Sequence, residues 1–166
     1  MARDALSLWR RVSAVLVGGF CGTITRYLLS MLIQSWFGKV LPYDIFLINI
    51  TGALVLAFVT TLADATFLIG PTRRLFINVG FLGAYTTFSS LALGDVQLIS
   101  YSQEVYALLY FLLSLFGGVL AVMLGDWLGQ KVVGRFKHAR SFRLEQTVVP
   151  SASEKHIDMQ DDVMLK

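Results

Sequence analysis

Four long runs of apolar residues dominate the pattern along this chain, and short polar stretches separate them. The runs span Val12–Ile33, Ile45–Ala63, Leu75–Gly94 and Val105–Leu128. Each is close to the roughly 20 residues that an α-helix needs to cross the hydrocarbon core of a bilayer. The pattern therefore predicts an all-α membrane protein with four transmembrane helices.

The third run contains a polar interruption near its centre. Residues 80–90 read GFLGAYTTFSS, in which two glycines precede four hydroxyl side chains that surround one aromatic ring. The bilayer core offers no water to an unwound backbone, so a broken helix persists there only where protein buries it or where it lines a cavity. We therefore predict that the third helix is broken at mid-membrane and that the break binds an ion.

Composition narrows the class of protein. Of the 166 residues, 55% are hydrophobic and 15% are charged, against roughly 25% charged residues in soluble domains. The single cysteine, Cys21, leaves neither an internal disulfide nor a CxxC metal pair. No cluster of His, Cys or carboxylate residues falls within the apolar runs, so the groups that an intramembrane enzyme needs are missing. The sequence predicts a passive polar pathway, not an enzyme, and no nucleic-acid partner.

Lysine and arginine residues are distributed unevenly over the ends and loops. The loop between the first two runs contains Lys39, and the loop between the last two contains no Lys or Arg. Positive residues concentrate on the cytoplasmic side of membrane proteins, so the bias predicts a multi-pass protein of the cell membrane with both termini in the cytoplasm. An antiparallel homodimer would need a bias near zero, because its two copies insert in opposite directions. On the opposite side of an even-numbered bundle, ten Lys or Arg residues lie near the spans: Arg3, Arg10, Arg11, Arg73, Arg74, Lys131, Arg135, Lys137, Arg140 and Arg143.

A few polar side chains interrupt the other runs, and each has two interpretations. Arg26 either extends its charge to the headgroups or forms an electropositive vestibule that concentrates an anion. Asn49 either hydrogen-bonds two helices together or offers its NH2 donors to an ion. Tyr110 and Ser114 lie one turn apart on the fourth helix, where they either pack in the core or form a polar stripe. The residues alone leave these alternatives open.

Three segments, taken together, resemble the CrcB/Fluc family of fluoride channels. They are GGFCGTITRY at 18–27, INITG at 48–52 and GFLGAYTTFSS at 80–90, and the match runs from about residue 12 to 133. The resemblance implies four-helix subunits that assemble as antiparallel dimers, with two narrow fluoride pathways at the interface. It also implies export of cytoplasmic fluoride by passive electrodiffusion.

The chain then divides into three parts. Residues 1–11 form a cytoplasmic N-terminus, 12–133 the four-helix channel domain and 134–166 a cytoplasmic tail. The polar and acidic composition of the last part cannot bury enough apolar surface to fold alone, so we predict that this tail is mostly disordered.

The resemblance also implies roles for individual residues. The backbone carbonyls of Gly83 and Thr86 would bind a structural Na+ at the centre of the dimer, since hard cations prefer oxygen ligands. Phe88 would present the positive edge of its ring to fluoride. The full set implied for the fluoride pathway is Arg26, Asn49, Thr87, Phe88, Ser89, Tyr110 and Ser114.

Several positions depart from the pattern of the family. Leu91, Gly118 and Val122 stand where the family has pore-lining aromatic or hydroxyl side chains. Asp44 stands where the family has a glycine before the second helix, and Gly94 stands where it has a glutamate. Together with the charge bias, these departures favour one subunit of a heterodimer whose partner is an oppositely oriented homologous subunit.

Two alternatives from other classes remain. The first is a non-conducting structural subunit that keeps the fold while its partner conducts; the replaced pore positions favour it, whereas Asn49, Phe88 and Tyr110 oppose it. The second is a small multidrug transporter, which also forms antiparallel dimers of four-helix subunits. That class requires a carboxylate in the middle of the first helix, where this chain has Arg26.

Overall fold

The computed structural model describes the backbone over residues 2–38, 41–65 and 69–164, and the side chains over 7–38, 41–65 and 69–135. Helix α1 is Ala2–Phe37 and helix α2 is Tyr43–Ala65. The prediction of an all-α fold with four transmembrane helices is confirmed, because the described part contains no strand and the predicted runs coincide with helices. Four helical stretches are long and apolar enough to cross a membrane: Ser7–Phe37, Tyr43–Ala65, Pro71–Ser100 and Glu104–Arg135.

The third of these stretches consists of two helices separated by a break. Helix α3 covers residues 71–85: an α-helical turn at Pro71–Arg74, wider π-helical turns over Leu75–Leu82, and a last α-helical turn at Gly83–Tyr85. Thr86 and Thr87 are extended, with φ and ψ of −78° and 154° and of −152° and 117°. Helix α4 follows at Phe88–Ser100, and helix α5 begins at Glu104 and ends at Met164. The predicted break is confirmed, and it falls at the two threonines rather than at the glycines.

Helices α1 and α3 cross at close range because glycines line both sides of the contact. A Cβ atom on Gly80 would lie 2.8 Å from the carbonyl oxygen of Val15 and 3.0 Å from the Cα atom of Gly18. A Cβ atom on Gly22 would likewise collide with the carbonyl oxygen of Phe81. Lipid tails are as apolar as leucine, so membrane helices associate largely through close packing, which small residues permit.

A small core between α2 and α3 lies next to the break. Ile48, Leu82 and Tyr85 are buried together. Phe81 stacks on Tyr85, with ring centroids 6.0 Å apart and ring planes inclined by 7°. The hydroxyl oxygen of Thr51 lies 3.0 Å from that of Tyr85, so the polar end of this buried ring is also satisfied. These contacts fix the last turn of α3 against α2.

Helix α5 packs against α2 through small and polar residues. A Cβ atom on Gly125 would collide with the carbonyl oxygen of Leu54, so the two backbones touch at this point. Further along, the Thr61 hydroxyl donates a hydrogen bond of 2.6 Å to Oδ1 of Asp126. The α2–α5 contact therefore combines a close backbone approach with a hydrogen bond between the two helices.

Most large apolar side chains face away from the bundle. Residues on α1 and α5 such as Leu16, Phe20, Phe116, Leu120 and Met123 each expose more than 60% of their surface. A soluble monomer rarely exposes a continuous apolar surface of this kind. Lipid tails cover such a surface without cost, so the exterior of the bundle suits a membrane.

The C-terminal part forms a separate compact unit, Lys131–Lys166. Its backbone is helical as far as Met164, and the side chains beyond Arg135 lie outside the described residues. The domain boundary predicted after residue 133 and the disorder predicted for 134–166 stay predictions. Low hydrophobicity argues against a packed core, but it does not decide whether the backbone continues the turns of the preceding helix.

Replacing Gly80 by alanine tests the crossing of α1 and α3. The added Cβ atom would overlap the α1 backbone, which has no flexible side chain to move away, so the free energy of unfolding should fall by about 1–3 kcal/mol. Thermal unfolding in detergent measures the change. Gly118→Ala is the matched control, because no atom lies within 4 Å of its added Cβ. Equal unfolding midpoints for the two variants would contradict the close crossing.

Candidate functional site

The break between α3 and α4 is stabilised by its own hydroxyl groups. Thr87 is the N-cap of α4: its Oγ1 accepts a hydrogen bond of 3.2 Å from the backbone N–H of Ser90. The same oxygen lies 3.1 Å from the hydroxyl oxygens of Ser89 and Ser90. On the other side, the hydroxyl of Thr86 donates to the carbonyl oxygen of Leu82 at 3.0 Å. The hydroxyl cluster thus ends one helix and begins the next.

Asn49 of α2 holds the break in place through two hydrogen bonds. Its Nδ2 donates to the carbonyl oxygen of Thr87 at 3.0 Å, and its Oδ1 accepts the backbone N–H of Thr87 at 2.8 Å. Thr87 is buried, so both backbone groups would otherwise lack a partner. Of the two interpretations of Asn49, the structure shows the contact between helices. One of its two N–H donors remains for another acceptor.

The same contacts leave two backbone carbonyls without their helical partners. The N–H that would bond to the carbonyl of Gly83 belongs to Thr87 and bonds to Asn49 instead. The N–H that would bond to the carbonyl of Thr86 belongs to Ser90 and bonds to Thr87 Oγ1 instead. Carbonyl oxygens are ligands for hard cations. No group of three or more His, Cys, Asp or Glu residues that could bind a metal occurs in the described ranges.

A groove of about 440 Å³ runs beside the break, between α2, α4 and α5. Asn49 and Ser114 contribute the polar groups of its lining. Leu91, Gly118 and Val122, three of the five positions that depart from the family pattern, line the same groove. Two of the predicted pathway residues, Asn49 and Ser114, therefore share one surface with the apolar replacements, which the sequence alone did not show.

Two hydroxyl groups on α5 are buried without a hydrogen-bond partner among the described residues. They are the phenolic oxygen of Tyr110 and Oγ of Ser114. Tyr110 also lines a smaller cavity of about 260 Å³ next to Phe46. An unpaired buried polar group is costly. Oδ1 of Asn78 and Oδ1 of Asp95 are buried without a partner in the same way, and the two hydroxyls remain available to donate to an acceptor.

The remaining predicted pathway residues differ in their surroundings. Phe88 begins α4 directly after the break and exposes 75% of its surface. Ser89 is exposed and bonds only within the hydroxyl cluster of Thr87. Arg26 is half-buried on α1, and no hydrogen bond or ion pair joins it to another described residue. The structure thus joins Asn49, Thr87 and Ser89 by direct contacts, but not Arg26.

One polar cluster was missed by the sequence reasoning. Asp44 is buried at the start of α2 and accepts hydrogen bonds from Ser30 and Gln34 of α1. The departure of Asp44 from the family pattern marked the position but not its burial. Ser30 and Gln34 lie one turn apart at the end of the first helix, and that spacing is the signal that could have pointed to a polar partner on another helix.

Replacing Asn49 by leucine tests the hydrogen bonds that hold the break. The backbone N–H and carbonyl of Thr87 would both lose their partner, and each unpaired buried group costs about 1–3 kcal/mol. We expect a large drop in the unfolding midpoint and faster hydrogen exchange of the Thr87 amide. Asn78→Leu is the matched control, because it removes only the hydrogen bond to the Thr60 hydroxyl. Unchanged exchange at Thr87 in Asn49→Leu would contradict this account of the break.

The membrane-spanning part of the sequence matches known proteins. Residues 13–126 match the model of the family described as "CrcB-like protein, Camphor Resistance (CrcB)". The chain is 42% identical over 122 residues to the fluoride-specific ion channel FluC of Trichormus variabilis, which covers 73% of this chain and 89% of the relative. It is also 39% identical over 119 residues to proteins of that name from Acidobacterium capsulatum and Synechocystis sp.. These two alignments cover 72% of this chain, and they cover 95% and 92% of the respective relatives. With its four apolar helices this is a multi-pass membrane protein, and the chain belongs to the CrcB family.

Proposed function

We propose that this chain is a subunit of a fluoride channel, not an enzyme, through which cytoplasmic fluoride leaves the cell by passive electrodiffusion. The observation that carries the proposal is the pair of buried hydroxyls at Tyr110 and Ser114, which have no acceptor within the described residues. Similar proteins are named fluoride-specific ion channels, which supports the same conclusion.

The chemistry of the groove suits a small anion. Fluoride is tightly hydrated, so a selective pathway must replace its water with hydrogen-bond donors at short range. Ser114 and the second N–H of Asn49 supply such donors along the groove. None of the residues that line the groove is charged, so no lysine or arginine would trap the anion there. Transient hydrogen bonds permit both entry and exit.

The break supplies the remaining groups of the proposed pathway. Phe88 is exposed beside it, where the positive edge of the ring can face an anion. Thr87 and Ser89 contribute hydroxyls, and the first N–H groups of α4 carry the positive end of that helix dipole. Arg26 would act at a greater distance, as a vestibule charge that raises the local anion concentration.

The break also fits a structural Na+. The carbonyls of Gly83 and Thr86 lack their helical N–H partners, as described above. A monovalent hard cation accepts oxygen ligands of this kind without a carboxylate. We infer that these two carbonyls would bind Na+ and hold the two halves of the broken span in register.

An exposed break at membrane depth requires a second subunit. Gly83, Phe88 and Ser89 are exposed, and polar backbone cannot remain against lipid. A second subunit in antiparallel orientation would cover this surface. Ten Lys and Arg residues near the spans on one side, against one on the other, favour a cytoplasmic position for the segments 1–11 and 134–166 of this chain. The partner is therefore a homologous subunit of opposite charge bias, and the complex is a heterodimer.

A non-conducting structural subunit is the second candidate. The observation in its favour is that Leu91, Gly118 and Val122 line the same groove as Asn49 and Ser114. Apolar groups at these three places offer fluoride no hydrogen bond. In that case this chain would supply the fold and the Na+ ligands, and the pathway lined mainly by the partner would conduct.

Replacing Ser114 by alanine tests the conducting role. The hydroxyl has no partner to lose among the described residues, so stability should not fall. A hydrogen bond to a charged species contributes about 1.5–3 kcal/mol, so fluoride flux should fall by about tenfold or more. The measurement is fluoride efflux from liposomes that contain the assembled complex, read with a fluoride electrode.

Ser100→Ala is the matched control for this test. Its hydroxyl bonds only to the Val96 carbonyl at the exposed end of α4, so flux should not change. Full flux in both Ser114→Ala and Asn49→Ala complexes would contradict the conducting role and would support the structural subunit.

A liposome experiment on the chain alone tests the heterodimer. The strong charge bias should direct all copies into one orientation, so the chain by itself should give no fluoride efflux. Co-expression with a homologue of opposite bias should restore it. Efflux from the chain alone, together with cross-links between antiparallel copies, would show that it is a self-sufficient homodimer.

A further inference from the structure

A second polar site lies where the end of α1 meets the beginning of α2. Asp44, the second residue of α2, exposes only 5% of its surface. Its Oδ2 accepts a hydrogen bond from the Ser30 hydroxyl and another, of 2.8 Å, from Nε2 of Gln34. Gln34 Nε2 also lies 3.2 Å from Oγ of Ser30. Two polar side chains of α1 thus converge on one carboxylate oxygen of α2.

The charge of Asp44 has no protein counter-ion in the described part of the chain. No Lys, Arg or His side chain there forms an ion pair with it, and its two partners are neutral. A buried ionised carboxylate is costly unless an opposite charge accompanies it. Asp44 lies in the first turn of α2, where the helix dipole favours a negative charge, but this effect offsets only a fraction of the burial cost. The balancing positive charge therefore comes from a bound cation or from a side chain outside the described residues, such as Lys39.

Space for such a charge exists beside the carboxylate. A cavity of about 430 Å³ lies between α1, α2 and α4 and is lined by polar side chains from all three helices. A water molecule occupies about 30 Å³ in the liquid, so the cavity holds a cation with several of its waters. The polar side chains of the lining are Ser30, Gln34, Asp44, Ser90, Gln97 and Tyr101.

The ligand types identify the class of ion. The available donors are carboxylate, hydroxyl and amide oxygens, which suit hard cations, and the lining contains no His or Cys for a transition metal. A single carboxylate among neutral oxygens matches a single positive charge. Gly94 also lines the cavity, and a Cβ atom there would lie 3.1 Å from Pro42 and 3.5 Å from the ring of Tyr110. A side chain at residue 94 would therefore press against Pro42. Asp44 is the carboxylate that lines this cavity.

We propose that Asp44, Ser30 and Gln34 bind a hard monovalent cation, with Na+ as the probe ion, in this cavity. The site is distinct from the carbonyls of Gly83 and Thr86. It is linked to the break through Ser90, which lines the cavity and bonds to Thr87. Bound Na+ cancels the negative field of Asp44 near the first turn of α4. The binding of Na+ does not depend on the proposed function, whereas an effect of bound Na+ on fluoride flux does.

The test is equilibrium binding of radioactive Na+ to the purified full-length chain, or to the heterodimer if the chain needs its partner. The buffer contains choline as the only other cation and no fluoride. Asp44→Asn removes the charge and keeps an oxygen that can accept from Ser30 and Gln34. We expect this variant to bind one Na+ fewer per chain than the wild type. Asp64→Asn is the matched control: it lies at the other end of α2, is exposed and pairs with Arg74, so it should bind as the wild type does.

Equal Na+ binding by Asp44→Asn and the wild type would overturn the proposal. If Asp44→Asn does not fold, Ser30→Ala keeps the carboxylate and removes one oxygen ligand. Its Na+ affinity should fall about tenfold, as for the loss of one favourable polar contact, and an unchanged affinity would also overturn the proposal. Binding is measured without fluoride, so a complex that binds Na+ at Asp44 but conducts no fluoride would contradict only the proposed function.

Discussion

The pair of hydrogen bonds between the Asn49 side chain and the backbone of Thr87 determines how the third span can exist in a membrane. Without water, an interrupted helix must satisfy its backbone groups from within the protein. An amide side chain can replace both a donor and an acceptor of the helix, and Asn49 does so from the neighbouring α2. Because the backbone N–H of Thr87 donates to Asn49 of α2, the carbonyl of Gly83 loses its helical partner and a separate helix, α4, starts after the break. The Thr87 hydroxyl completes the break, because it caps α4 and takes the Ser90 N–H away from the carbonyl of Thr86.

The rest of the bundle is built to hold that contact in place. Gly18 and Gly80 let α1 and α3 approach until their backbones touch, and Tyr85 is fixed against α2 by burial and by the Thr51 hydroxyl. Close packing is the main attraction available where both helix surfaces and solvent are apolar. The large apolar residues are therefore free to face lipid, and the small ones occupy the contacts between helices.

Polar groups are divided between two places with different electrostatics. The groove beside Asn49 and Ser114 has donors but no charge, whereas the cavity at the α1–α2 connection contains the buried carboxylate of Asp44. Hydrogen-bond donors without a charge suit an anion, whereas the negative charge of a carboxylate disfavours one. The first turn of α4 lies between the two environments, because Ser90 lines the carboxylate cavity and bonds to Thr87.

The sequence by itself determined that the protein lies in a membrane, how many spans it has, that the third span is interrupted, and to which family the protein belongs. The lengths and the residue content of the apolar runs indicate these features directly. It also named the residues at the break, but it left two interpretations of Asn49 open. Only the tertiary structure decided between its partners, since Thr87 is 38 residues away on another element. The burial of Asp44 depends in the same way on Ser30 and Gln34 of α1. A local sequence pattern indicates whether a segment is surrounded by lipid or by water. The partner of a buried polar group depends on other segments, which come into contact with it only when the chain has folded.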